Sequence, residues 1–123
     1  MSLDLSLNLQ VGHINLTHNL GKMADNVPAG TRDVFDSESK EMVVKEITLY
    51  EAMWRPEEVG IYKGSDLFNH MQVAMEYIIT NEDELKQYNP DNGWGDYDGL
   101  KRAVKEMGKY CMMFPEAQLE SDR

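Results

Sequence analysis

The chain has 123 residues, 41% of them hydrophobic and 28% charged, enough for one domain over 1–123 with a modest core and too little for two. Twelve Lys and Arg stand against 22 Asp and Glu, a formal charge of −10 that excludes a general binder of nucleic-acid backbone, where positive surface must displace counterions. No stretch nears the ~18 consecutive apolar residues of a membrane span, no signal-peptide pattern opens the chain, and the single cysteine, Cys111, cannot close an internal disulfide, so a protein of the reducing cytoplasm is expected.

Met1-Ser2-Leu3 reads as a vector-derived start. From Leu3 onward, Leu5, Leu7, Leu9 and Val11 alternate with Asp4, Ser6, Asn8 and Gln10, the period of a strand with one buried face. The phase slips at Gly12-His13, which reads as either a two-residue hairpin turn or a bulge, before Ile14 and Leu16 resume it. Leu20, Met23, Ala24 and Val27 then fall at helical spacing, with Thr17 or Asn19 as cap and Pro28 and Gly30 as stop. Residues 29–39 are polar without a period and predict a loop. Val43, Ile47, Tyr50 and Trp54 mark one face of a second helix that Pro56 closes, although the β-branched pair Val43-Val44 also suits a strand.

A third helix, capped by Ser65 or Asp66, carries Leu67, Met71, Ala74, Met75 and Ile78 as its apolar stripe. Asn81 and Glu84 resemble a capping box for a brief acidic helix through Tyr88. The run Asn89-Pro90-Asp91-Asn92-Gly93-Trp94-Gly95-Asp96 is the strongest punctuation in the chain. Asp96 then caps a last helix with the face Leu100, Val104, Met107, Cys111 and Phe114, ended by Pro115. Ala117 and Leu119 suggest a short terminal strand able to pair with the first. The fold expected is α+β, with three to four helices packed on a small amino-terminal antiparallel sheet that a carboxy-terminal strand joins. The nine methionines fall mostly on helix faces and are read as core filler.

Catalytic signals are thin. His13, His18 and His70 match no metal-ligand spacing and are read as structural histidines, and Cys111 on an apolar stripe is read as a buried, inert thiol. Counting from Asp91, Gly93 and Gly95 occupy positions where a calcium loop needs oxygen ligands, so no metal site is assigned, and no phosphate loop or nucleotide fingerprint implies a cofactor. Charge is uneven: residues 59–98 hold eight acids against Lys63 and Lys86, a stretch able to face a basic partner. The glycines around Trp94 let the indole either plug the core, which is preferred, or form a stacking platform. In the second case Asn92 supplies hydrogen bonds, and Lys101, Lys105 and Lys109 supply counter-charge for an anionic ligand.

Three blocks carry a resemblance: Ile14-Asn15-Leu16-Thr17-His18-Asn19-Leu20-Gly21-Lys22-Met23-Ala24, Tyr50-Glu51-Ala52-Met53-Trp54-Arg55-Pro56-Glu57-Glu58, and Asn92-Gly93-Trp94-Gly95-Asp96-Tyr97. Together they resemble a family of small uncharacterised bacteriophage and prophage proteins, with residues 28–48 as an insertion relative to compact members. The resemblance supplies no activity. It implies a bacterial host cell and singles out His18, Asn19, Trp54, Arg55, Asn92, Trp94 and Tyr97 as ligand- or partner-binding candidates.

Two function classes follow. One is a non-enzymatic accessory protein that binds a host protein or a small molecule. The other is a small enzyme drawing on His18, Glu57 or Glu58 and the Asn92–Tyr97 loop. The first is preferred, because no acid–base or nucleophile pair stands out. Neither class specifies an oligomeric state, and a homo-oligomer stays open.

Overall fold

Leu3 and Leu5 alternate with Asp4 and Ser6, and both leucines are fully buried on the inner face of β1 (Ser2–Leu7). The computed structural model describes residues 2–7, 12–91, 93 and 95–122, with Ser2, Leu7 and residues 12–15 described by backbone alone. β1 pairs antiparallel with β2 (Gly12–Thr17), Leu3 opposite Leu16 and Leu7 opposite Gly12. The two are therefore separate strands of a hairpin. Gly12 and His13 are not its turn, since both lie inside β2; Leu9 and Val11, expected to continue the first strand, lie outside the described residues.

A 3₁₀ turn (His18–Leu20) leads into the short helix α1 (Gly21–Asp25). Thr17 is the cap, its hydroxyl accepting from the Asn19 N–H at 3.3 Å. Residues 29–39, expected as a loop, instead form most of a strand, β3 (Pro28–Asp36), followed by a four-residue turn and β4 (Glu41–Thr48). Turn chemistry explains the reversal: the Asp36 carboxylate accepts from the Glu38 N–H at 3.1 Å, the Asp36 carbonyl accepts from the Lys40 N–H at 2.7 Å, and Lys40 adopts a φ of 59°. The base is closed where the Leu49 N–H donates to the Val27 carbonyl at 2.8 Å. Residues 28–48, which the resemblance sets apart as an insertion, form this hairpin.

The second helix is correspondingly short, α2 (Leu49–Trp54), and Val43 and Ile47 belong to the strand. Thr48 and Glu51 make a reciprocal capping box, hydroxyl from N–H at 3.2 Å and carboxylate from N–H at 3.1 Å, which fixes the helix start after Thr48. A 3₁₀ turn (Pro56–Val59) precedes α3 (Gly64–Thr80). That helix begins earlier than expected. Lys63 is its N-cap, and Asp66, three residues on, reaches back to the Lys63 and Tyr62 N–H groups at 3.2 and 3.1 Å.

α4 (Glu82–Lys86) follows without the expected cap, because the Asn81 amide donates back to the Tyr77 carbonyl at 3.0 Å. α5 (Tyr97–Met113) is capped by Asp96, whose carboxylate accepts from the Gly99 N–H at 2.8 Å. β5 (Leu119–Asp122) pairs antiparallel with β1, so the terminal strand exists slightly later than Ala117–Leu119. Among the described residues the fold is α+β: five α-helices, a three-stranded antiparallel sheet in the order β2-β1-β5, and the separate β3–β4 sheet.

The core lies between the three-stranded sheet and the helices. Leu3, Leu5 and Leu16 meet Met53, Trp54, Leu67, Ile78, Leu100 and Met107 in one buried cluster. Met23, Met53, Met71 and Met107 fill it, whereas Met42, Met112 and Met113 are exposed, so methionine is only partly core filler. Among the described residues no helix is long and apolar enough to cross a membrane.

The carboxy-terminal segment is tethered chiefly through its backbone: the Gly64 N–H donates to the Ala117 carbonyl at 2.9 Å, the Leu119 N–H to the Tyr62 carbonyl at 2.8 Å, and β5 pairs with the edge of β1. Deleting residues 116–123 removes these contacts and bares the β1 edge. The melting temperature should fall by about 5 °C or more, the shift that ~1 kcal/mol produces in so small a domain. An unchanged thermal unfolding curve would count against the tether.

Candidate functional site

Parts of the three sequence blocks lie side by side around residues 17–25. Gly21 sits against Tyr50, where an added Cβ would come within 3.3 Å of the ring, and Lys22 places its ammonium 5.9 Å from the Tyr88 ring centroid. Gly95 packs between Thr17 and Leu20: a Cβ there would meet the Thr17 methyl at 2.6 Å, and its φ of 92° is left-handed. Glycine is thus required at 95 on two counts, and it brings the third block against the first. A depression of about 310 Å³ lined by Gly21, Lys22, Asp25 and Tyr50 opens beside this junction.

The candidate residues are placed unequally. His18 and Asn19 are exposed at the start of the 3₁₀ turn, and among the described residues no hydrogen bond joins His18 to a carboxylate. Trp54 is buried in the core and stacks on Tyr50 with centroids 5.5 Å apart. Arg55 is half-buried, 3.5 Å from the Glu58 carboxylate. Tyr97 is buried and its hydroxyl donates to the Ile78 carbonyl at 2.6 Å, with Lys86 and Lys101 over the ring. Asn92 and Trp94 lie outside the described residues, and so does the choice between core plug and platform for Trp94.

Sequence reasoning missed the best-organised polar cluster. Arg32, on β3, donates from Nε to the Val59 carbonyl at 3.0 Å and from its two terminal nitrogens to the carbonyls of Gly60 (3.0 Å) and Asp66 (3.2 Å). One of those nitrogens also lies 3.2 Å from His70 Nε2, and His70 Nδ1 lies 2.6 Å from the Ala29 carbonyl. A carbonyl only accepts, so Nδ1 carries the proton and Nε2 accepts from Arg32. Burial, reinforced by the Arg32 charge, holds the His70 pKa below its ordinary value, against the opposing pull of the Ala29 bond and Asp66. His70 is therefore a neutral structural histidine, as the lack of any metal-ligand spacing suggests, that joins the hairpin to the helices. No motif marks Arg32 in the sequence.

The same hairpin exposes its other face. Facing residues across β3 and β4 share a side, so Phe35 and Met42, Asp33 and Val44, and Thr31 and Glu46 point away from the domain. Phe35 is 63%, Met42 62% and Val44 72% exposed. Beside them a cleft of about 490 Å³ is bordered by Phe35, Met42, Tyr62, Asp33, Glu57 and Glu58. Lys45 is committed to Glu51 by an ion pair at the hairpin base. No family model, no curated protein and no solved structure matches the chain.

The one cysteine is not placed for nucleophilic chemistry. Cys111 is fully buried, and burial pushes its thiol up to about 12, far from a thiolate. No group of three His, Cys, Asp or Glu side chains among the described residues is arranged to hold a metal.

His70 makes stability depend on pH. Its folded pKa lies below its unfolded value of about 6.5, so the unfolded chain binds the proton more readily. The contribution of neutral His70 is complete above pH ~6.5 and is lost as pH falls below that value. Denaturant unfolding between about pH 7.5 and 5 should show this decline, and His70→Asn, which keeps a donor toward Ala29, should flatten it. Equal slopes for both proteins would assign the decline to other groups.

Proposed function

We propose that the protein is a non-enzymatic binding protein that docks a basic surface of a partner protein onto its β3–β4 hairpin. The observation that carries this reading is the outward face of the hairpin, where Phe35, Met42 and Val44 stay largely in water although each would gain by burial. Aromatic and methionine side chains are the usual anchors of protein interfaces.

The surroundings give the partner its charge. Asp33 and Glu46 lie on the apolar face itself, and the adjoining cleft, which Arg32 also lines, sets Glu58, paired with Arg55, near the rings of Phe35 and Tyr62. Carboxylates beside aromatic faces suit an Arg or Lys side chain, which gains both ion pairing and cation–π attraction. The net charge of −10 steers a basic partner in and repels nucleic acid and anionic membranes. The resemblance to small bacteriophage and prophage proteins supports an accessory role, with a host protein as the partner.

A hairpin variant separates docking from folding. Phe35→Thr with Val44→Thr keeps strand propensity on exposed positions, so the melting curve should stay close to that of the parent protein. In affinity capture from bacterial lysate, the parent should retain a basic protein that is released as salt rises, and the double variant should not retain it. Equal capture by both proteins would overturn the assignment to the hairpin.

A further inference from the structure

The helices α3 and α5 pack so closely at Gly108 that a Cβ there would touch the Met71 Cβ at 3.4 Å. Beside that contact they leave a second apolar groove, of about 220 Å³, lined by Phe68, Met71, Met75 and Met112 and bordered by Lys105 and Lys109. Met112 is 63% exposed, and Phe68 and Met75 are only half covered. Lys105 and Lys109 stand one turn apart on α5 and are exposed. Among the described residues neither takes part in an ion pair, unlike Lys45, Lys63 and Lys86.

The groove therefore combines an adaptable thioether lining with two lysines outside any ion pair among the described residues, in a protein whose overall charge is −10. Its volume is below the ~300 Å³ at which small-molecule pockets begin, so it suits one or two inserted side chains of a macromolecule. Two-fold pairing with a second copy would set Lys105 and Lys109 against their own counterparts. An anionic membrane would be repelled by the rest of the surface. A helix carrying two large apolar residues at i and i+4, flanked by Asp or Glu, satisfies both the lining and the lysines.

We propose that the α3–α5 groove is a second docking site, which takes an acidic amphipathic helix of a partner protein between Lys105 and Lys109. This site is independent of the hairpin and opposite to it in charge preference.

The test is selection of displayed helical peptides of about fifteen residues, long enough to form on binding, against the full chain at physiological salt. Enriched peptides should carry the acidic amphipathic pattern. Their affinity, read by fluorescence anisotropy, should fall by about tenfold or more for Lys105→Glu with Lys109→Glu, and stay unchanged for Phe35→Thr with Val44→Thr. Both lysines are exposed, so thermal melts of the charge-reversal variant should match the parent and exclude misfolding as the cause. Enrichment of basic peptides, no enrichment, or indifference to the charge reversal would overturn the proposal. So would a dimer in sedimentation that the charge reversal dissociates, because the occupant would then be a second copy.

Discussion

The guanidinium of Arg32 ties the β3–β4 hairpin to the Val59–Gly60 turn and to the first turns of α3. A two-stranded hairpin is at best marginal alone in water, and among the described residues β3–β4 has no third strand. Arg32 supplies the missing support by donating to the carbonyls of Val59, Gly60 and Asp66, groups at a 3₁₀ turn and a helix start. His70 completes the arrangement by accepting from Arg32 on one ring nitrogen and donating to Ala29 with the other. The cluster has to be neutral at His70. A second proton on the ring would place an N–H against the guanidinium and strand a charge in the interior.

That anchorage acts on one face of the hairpin only. Arg32 and Val34 turn toward the domain, while Phe35, Met42 and Val44 turn away, because strand residues alternate and facing pairs share a side. A hairpin held only by its inner face would ordinarily carry polar residues on the outer one. Here the outer face holds three large apolar side chains among acids, a pattern that folding alone does not call for.

Much of the frame was legible because its signals are local. Alternation at Leu3 and Leu5, the stripe from Leu67 to Ile78, the stripe from Leu100 to Cys111 and the Asp96 cap each act within a few residues. The hairpin was misread because strand alternation in β3 follows burial against α3, and its inward residues include Arg32 and Asp36, which have no apolar signature. Thr48 and Glu51 did carry a readable signal: a capping box there places the helix start after Thr48 and leaves Val43-Val44 to a strand. Gly95 could be recognised as a turn residue, but its contact with Thr17 and Leu20 depends on chain distant in sequence. Arg32 was illegible for the same reason, since all of its acceptors lie at least 27 residues away.

α3 sets the spatial relation of the two proposed surfaces. His70 meets the hairpin strand, and Gly30 packs near Val73, whereas Met71 and Met75 look toward α5. A single helix of 17 residues thus carries the hairpin on one side and the methionine groove on another. Coupling between such sites requires an element with two alternative packings whose balance each ligand shifts. α3 is instead buried along Leu67, Met71, Ala74 and Ile78 and fixed at its start by Asp66, so it has the features of a rigid spacer. On that physical basis, partners seated on the two proposed surfaces would be held at a fixed separation and orientation. What the two proposed surfaces would gain from each other is proximity: a partner seated on one would raise the effective concentration of anything tethered to it near the other.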